Sequence, residues 1–262
     1  MNTGSRHSAQ KGTEDNPFTS LEQAVTAAYE YAHRQKEAPL LPVTIYLLSD
    51  VSVEEAVFLT LPVRIKGRGT PVLSFGDNAG FVIEKTFFEI SGCTLKRSEW
   101  FTEPRMVPVL YGGQSSIVLN NVLLTVTEGG EAVLLRGSRL FCTDCVFTSK
   151  QSAQAVLIRS DTGFVSAVRS SFAAEGLNAL CFELSDSECT VADIRCSLLP
   201  HYTGRAAELV RSNLQVSGLE ASYASPLFSK MDTAVLADKQ SKITVLGKPV
   251  LQGFTQAVLQ RK

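Results

Sequence analysis

Residues 139–172 read RLFCTDCVFTSKQSAQAVLIRSDTGFVSAVRSSF, and this stretch decides the fold. It carries two short apolar triplets, Cys145-Val146-Phe147 and Ser170-Ser171-Phe172, each behind a polar residue (Asp144, Arg169), with Ala155-Val156-Leu157 and a Ser160-Asp161 turn between them. Working outward, similar triplets begin at Cys93, Val122, Cys196, Ala221 and Pro249, and the seven starts are separated by 29, 23, 25, 26, 25 and 28 residues. The intervals are too uneven for a leucine-rich repeat, but they suit stacked coils in which each loop has its own length. A second unit recurs at Pro108-Val109-Leu110, Ala132-Val133-Leu134, Ala155-Val156-Leu157, Ala179-Leu180-Cys181, Ala234-Val235-Leu236 and Ala257-Val258-Leu259, while the coil around Ala206-Ala207-Glu208-Leu209 matches less well. Every coil therefore reads strand, turn, strand, loop, strand, turn, and stacking such coils in parallel places like residues above one another in internal ladders.

The region before the repeats is different. Residues 1–16 are polar and aperiodic, a flexible lead-in to a single domain over 17–262. Ser20-Leu21-Glu22-Gln23 has the capping-box form, and Leu21, Ala24, Val25, Ala28 and Tyr31 or Ala32 recur at helical spacing, which predicts one helix over about 20–35. The coils occupy about 42–262. The expected fold is all-β, a right-handed parallel β-helix of about eight to nine coils with an N-terminal capping α-helix.

The run Gly12-Thr13-Glu14-Asp15-Asn16-Pro17-Phe18-Thr19-Ser20-Leu21-Glu22-Gln23-Ala24-Val25 resembles the opening of many right-handed β-helix proteins. Val43–Leu47, Val63–Gly69 and Phe88–Leu95 are similar to the first coils of the pectin-lyase-like superfamily. The resemblance implies a fold and leaves activity open, because that superfamily holds lyases, hydrolases, esterases, adhesins and members without known chemistry. Arg64-Ile65-Lys66 resembles one polygalacturonase motif, but the Asn-Thr-Asp, paired aspartates and Gly-His-Gly that accompany it there do not occur here.

Composition sets limits. The 25 basic and 26 acidic residues give a net charge of -1 and no basic stripe, so nucleic acid is not an expected partner. No run approaches the roughly 20 apolar residues of a membrane span, and the chain as given begins without an apolar signal segment. Six scattered cysteines favour an intracellular setting over a disulfide scaffold, unless the sequence is a piece of an exported protein. Cys142-Thr143-Asp144-Cys145 has the spacing of a metal or redox pair, but its strand positions point to core packing, with Cys93 and Cys196 expected at the repeat position of Cys145. His201 is the one histidine within the repeats, so neither a cofactor nor a metal site is expected.

Two readings of function follow. In the first, the chain is a non-catalytic binding or structural solenoid for a polysaccharide or a protein. Its contacts would be Trp100, Arg105, Glu128, His201 and Tyr202 along the edge after the triplets, where aromatic faces stand near charged groups. In the second, it is a carbohydrate-active lyase or hydrolase using stacked carboxylates with arginine, for which Asp144, Arg169 and Arg195 are the candidates. The same three residues with Glu220 also suit an ion-pair ladder that needs no ligand. Arg136, Arg159 and Glu183 are expected to stack outward in consecutive coils. The last coil, Ile243 to Leu259, lacks a polar cap, so self-association or a partner domain is expected to cover it.

Overall fold

The structure, a computed structural model, describes residues 12, 17–34, 41–76, 78–97, 108–127, 131–150, 154–225 and 231–260. It is a parallel β-helix with three faces. The first face starts at Val43–Leu47 and climbs through Val63–Gly67, Phe87–Ser91, Ser116–Asn120, Arg139–Thr143 and Phe164–Val168 to Lys242–Leu246. The second runs from Val51–Val53 through Thr94–Arg97, Leu123–Thr127 and Val146–Lys150 to Val250–Gln252. The third runs from Ala56–Leu59 through Gly80–Glu84, Leu110–Gly113 and Val133–Arg136 to Phe254–Gln260. Each ladder has nine rungs; counting only the seven that are flanked on both sides, the solenoid has about seven turns, slightly fewer than the eight to nine coils expected.

Alternation along each strand fills the interior. Leu95, Leu124, Phe147 and Phe172 stand above one another and are fully buried. The rings of Phe147 and Phe172 stack at 5.0 Å with 7° between their planes, and Phe182 closes on Phe172 at 4.7 Å. At the corner joining the third face to the first, serines line the inside. The Ser138 hydroxyl accepts from the Ser115 amide at 2.9 Å, Ser212 from Ser187 at 3.0 Å, and Ser241 from Ser212 at 3.0 Å. Each satisfies a buried N–H that the corner removes from the strand ladder. Gly163 takes the serine's place in one coil, where a Cβ would lie 2.6 Å from Ser160 Oγ.

The helix spans Leu21–Arg34 and buries Leu21, Val25 and Ala28. Ser20 caps it, accepting from the Gln23 amide at 3.2 Å. The Gln23 side chain does not complete the capping box; it accepts from Thr19 Oγ1 at 3.4 Å. Of the two residues offered as the end of the apolar face, Tyr31 is 58 % exposed and Ala32 half-buried, and Tyr29 ties the helix down by bonding Phe58 O at 3.0 Å and the Thr60 amide at 2.7 Å.

Two expected alignments are corrected by the register. Cys145 does share its position with Cys93, through Val122, but Cys196 lies opposite Phe172, two residues further along. Arg136 lies opposite Asp161, and Arg159 opposite Leu134, so the two arginines do not stack. All six cysteines are buried free thiols. Burial pushes Cys93 up to about 11 and raises Cys142, Cys181 and Cys189 further, which keeps them protonated and inert.

Candidate functional site

The two corners flanking the second face are built differently. Where the first face turns into the second, the chain reverses through one residue with positive φ in coil after coil: Gly92, Asn121, Asp144, Arg169, Asp193 and Gly218. This spacing leaves no room for insertions. Where the second face turns into the third, the strands are joined by connections of differing length, and residues 98–107, 128–130 and 226–230 of these lie outside the described residues. Trp100, Arg105 and Glu128 fall in those segments.

The described part of this corner carries His201 and Tyr202. Register shifts here: Gly176 pairs with Pro200 but Asn178 pairs with Thr203, so the later coil holds one extra residue. Such a bulge redirects side chains. His201 and Tyr202 are both exposed, Tyr202 at 54 %, with Leu199 and Leu177 beside them. Directly beyond lies a hollow of about 220 Å³ lined by Asn178, Ala179, Leu180, Thr203, Arg205 and Glu208. Thr203 Oγ1 donates to Asn178 Oδ1 at 2.7 Å, and Arg205 pairs with Glu208. The Arg205 Nε is buried without a hydrogen-bond partner, leaving one donor of the hollow unused. Sequence reading expected His201 and Tyr202 on this edge, in the same segment as Arg205; it did not single out Asn178, which the pairing of neighbouring coils brings alongside. The extra residue between Pro200 and Thr203 shows only once the two coils are paired.

Asp144, Arg169 and Arg195 sit elsewhere. Arg169 grips Asp144 through two bonds of 2.8 Å at the tight corner, and this hydrogen bonding holds the Asp144 carboxyl below the usual range. Arg195 belongs to the second face and pairs with Glu220 at 2.7 Å. The tight corner from the third face to the first has the same device, Arg211 with Asp186. Asp144 and Arg195 are thus parts of separate ion pairs. Among the described residues no group of three or more His, Cys, Asp or Glu side chains is placed to hold a metal ion, and no helix is long and apolar enough to cross a membrane.

A larger hollow, of about 1010 Å³, lies at the N-terminal end between the helix and the first face, walled by Phe18, Leu21, Tyr31, Ile45 and Tyr46 with Glu22 and Glu30 also lining it. Arg68 stands over the Tyr46 ring, 4.9 Å from its centroid.

The fold defines a class: a parallel β-solenoid with three faces and a helix at its N-terminal end. Similar solved structures include a pectin methylesterase in complex with a hexasaccharide, at 10 % identity and a TM-score of 0.48 over 92 % of this chain and 91 % of that one. Two mannuronan C-5 epimerase A-modules from Azotobacter vinelandii are similar at 11 % and 12 % identity, each with a TM-score of 0.28, over 92 % and 93 % of this chain and 93 % and 96 % of theirs. No protein-family profile and no curated protein matches the chain. At such identities only architecture is at stake, and the architecture rests on the strand register itself.

Proposed function

We propose that the chain is a non-catalytic binding solenoid whose loop-bearing corner takes a polysaccharide. The observation that carries this reading is the bulged segment Pro200–Thr203, which sets the exposed Tyr202 ring and His201 next to a hollow furnished with an unused arginine donor, an amide and a hydroxyl. A sugar ring needs an apolar face to stack on and convergent hydrogen-bonding groups at its rim. Trp100, Arg105 and Glu128 lie outside the described residues, and they are proposed as further contacts from their positions in sequence between strands of the second and third faces. The ion pairs of Asp144, Arg169 and Arg195 favour a structural role for them over a catalytic one.

The test is binding to a broad glycan array, repeated with Tyr202→Ala and Trp100→Ala. Binding lost at least tenfold in either variant, with the bound polymer recovered at its original length, supports the proposal. Shortening of the polymer would turn the reading to a lyase or hydrolase, with Asp144→Asn the next variant. Failure to bind any glycan would overturn the polysaccharide and leave a protein as the ligand of this corner.

A further inference from the structure

The charges around the small hollow of the open corner narrow what can enter it. The stretch of chain that forms the hollow, residues 171–210, holds six carboxylates and two arginines. Both arginines are already matched: Arg205, in the wall of the hollow, pairs with Glu208, and Arg195 pairs with Glu220 at 2.7 Å. Cations that reach in from neighbouring rungs are matched too. Arg159 holds Glu131 on one side and Glu183 at 2.8 Å on the other, Lys150 lies 3.1 Å from Glu175, and Arg211 grips Asp186. Glu183 and Glu208 are opposite one another in adjacent rungs, so two carboxylates stand together beside the hollow with their arginines already engaged.

What the hollow leaves for a ligand is hydroxyl chemistry. Asn178 Oδ1 accepts from Thr203 Oγ1 at 2.7 Å, which leaves the amide NH2 group to donate, and the Glu208 carboxylate keeps capacity to accept. An amide donor beside a carboxylate acceptor suits a sugar hydroxyl, which both gives and takes hydrogen bonds. A uronate would bring one more carboxylate to those already present, and like charges set against each other reject a partner. We infer, on the basis of the polysaccharide reading above, that the open corner takes a neutral polysaccharide, whose units carry hydroxyls and no carboxylate, and rejects uronate chains.

The test is equilibrium binding of the full chain to matched polymers at about pH 8, where histidine ordinarily carries no charge. Soluble β-glucan and galactomannan are each compared with the same polymer oxidised at its primary hydroxyls to carboxylates, and polygalacturonate with its carboxyl-reduced form; any further polymer that the glycan array returns is paired in the same way. The neutral member of a pair is expected to bind at least about tenfold more tightly at low salt. Its affinity is expected to change less than about twofold between about 10 mM and 1 M salt, a range over which the screening length falls from roughly 30 Å to 3 Å. Glu208→Gln leaves Arg205 without its carboxylate and is expected to narrow the preference at least about threefold at 10 mM salt. A charged member that binds as tightly as its neutral partner, a neutral polymer whose binding is lost at 1 M salt, or a preference unchanged in Glu208→Gln would overturn the inference and leave the polysaccharide reading standing. Binding to no polymer, neutral or charged, would overturn both.

Discussion

The tight corner between the first and second faces and the open corner between the second and third do opposite jobs with the same chain. At the tight corner one positive-φ residue per coil stacks on the next, and Asp144 and Arg169 bridge neighbouring coils. At the open corner the backbone leaves the ladder, a bulge enters, and Tyr202 and His201 face solvent beside the small hollow. The difference teaches where such a solenoid can vary. An insertion at the tight corner would shift every later rung, whereas one at the open corner lengthens a loop and leaves the three ladders in step. Binding chemistry is accordingly expected only at the open corner.

The largest effect that sharpens this contrast is expected in the core that both corners serve. Phe172→Ala removes a ring packed between Phe147 and Phe182 and is expected to cost about 3–5 kcal/mol in urea unfolding. Tyr202→Ala at the open corner is expected to stay within about 0.5 kcal/mol of wild type. Equal losses from the two would mean that the open corner is structural. A smaller effect is expected at the serine-lined corner. The Ser187 hydroxyl accepts from the Gly163 amide at 3.0 Å and lies 2.7 Å from Ser185 O, so Ser187→Ala strands a buried N–H and is expected to cost about 1–3 kcal/mol. Ser197→Ala, on the outer surface beside Ser222, is expected to cost no more than about 0.5 kcal/mol.

The sequence made the fold legible because inside and outside alternate with a period of two along most strands of the first and second faces. It misplaced Cys196 and Arg136 for the same reason. A slip of two residues returns each side chain to its own face, so the apolar pattern reads equally well in either register. Cys196 beside Cys145 and Cys196 beside Phe147 are both inward; only the turn decides between them. The turn was readable in part. Gly92, Asn121, Asp144, Asp193 and Gly218 are the residue types that tolerate positive φ, and aligning on them yields the observed register, whereas Arg169 holds the same conformation without announcing it. The hollow at the open corner depends on the bulge, which no periodicity signals. His201 and Tyr202 were legible as exposed aromatic and polar groups, whereas Asn178 comes to the site only through pairing across coils.

Acid titration separates the corners by a quieter measure. Hydrogen bonds from Arg169 and Arg211 hold Asp144 and Asp186 below 3.8, and the Ser241 hydroxyl and nearby amides do the same for Asp238. A carboxyl whose folded value is depressed stabilises the fold fully above its unfolded value and loses that contribution as pH falls through the folded one. The urea midpoint is therefore expected to be level from pH 7 to about 5, then to fall below about 4. Asp144 and Asp186 are exposed and Asp238 lies half-buried at the surface, so the fall attributable to them is small. The Asp144→Asn/Asp186→Asn variant is expected to have a slightly lower midpoint at pH 7 and a shallower acid limb, converging on wild type in acid as both become neutral at these sites. An acid limb unchanged in the double variant would place the proton-linked stability outside the tight corners. The ladders would then be held by backbone and core alone, with the ion pairs serving only to keep the outer surface soluble.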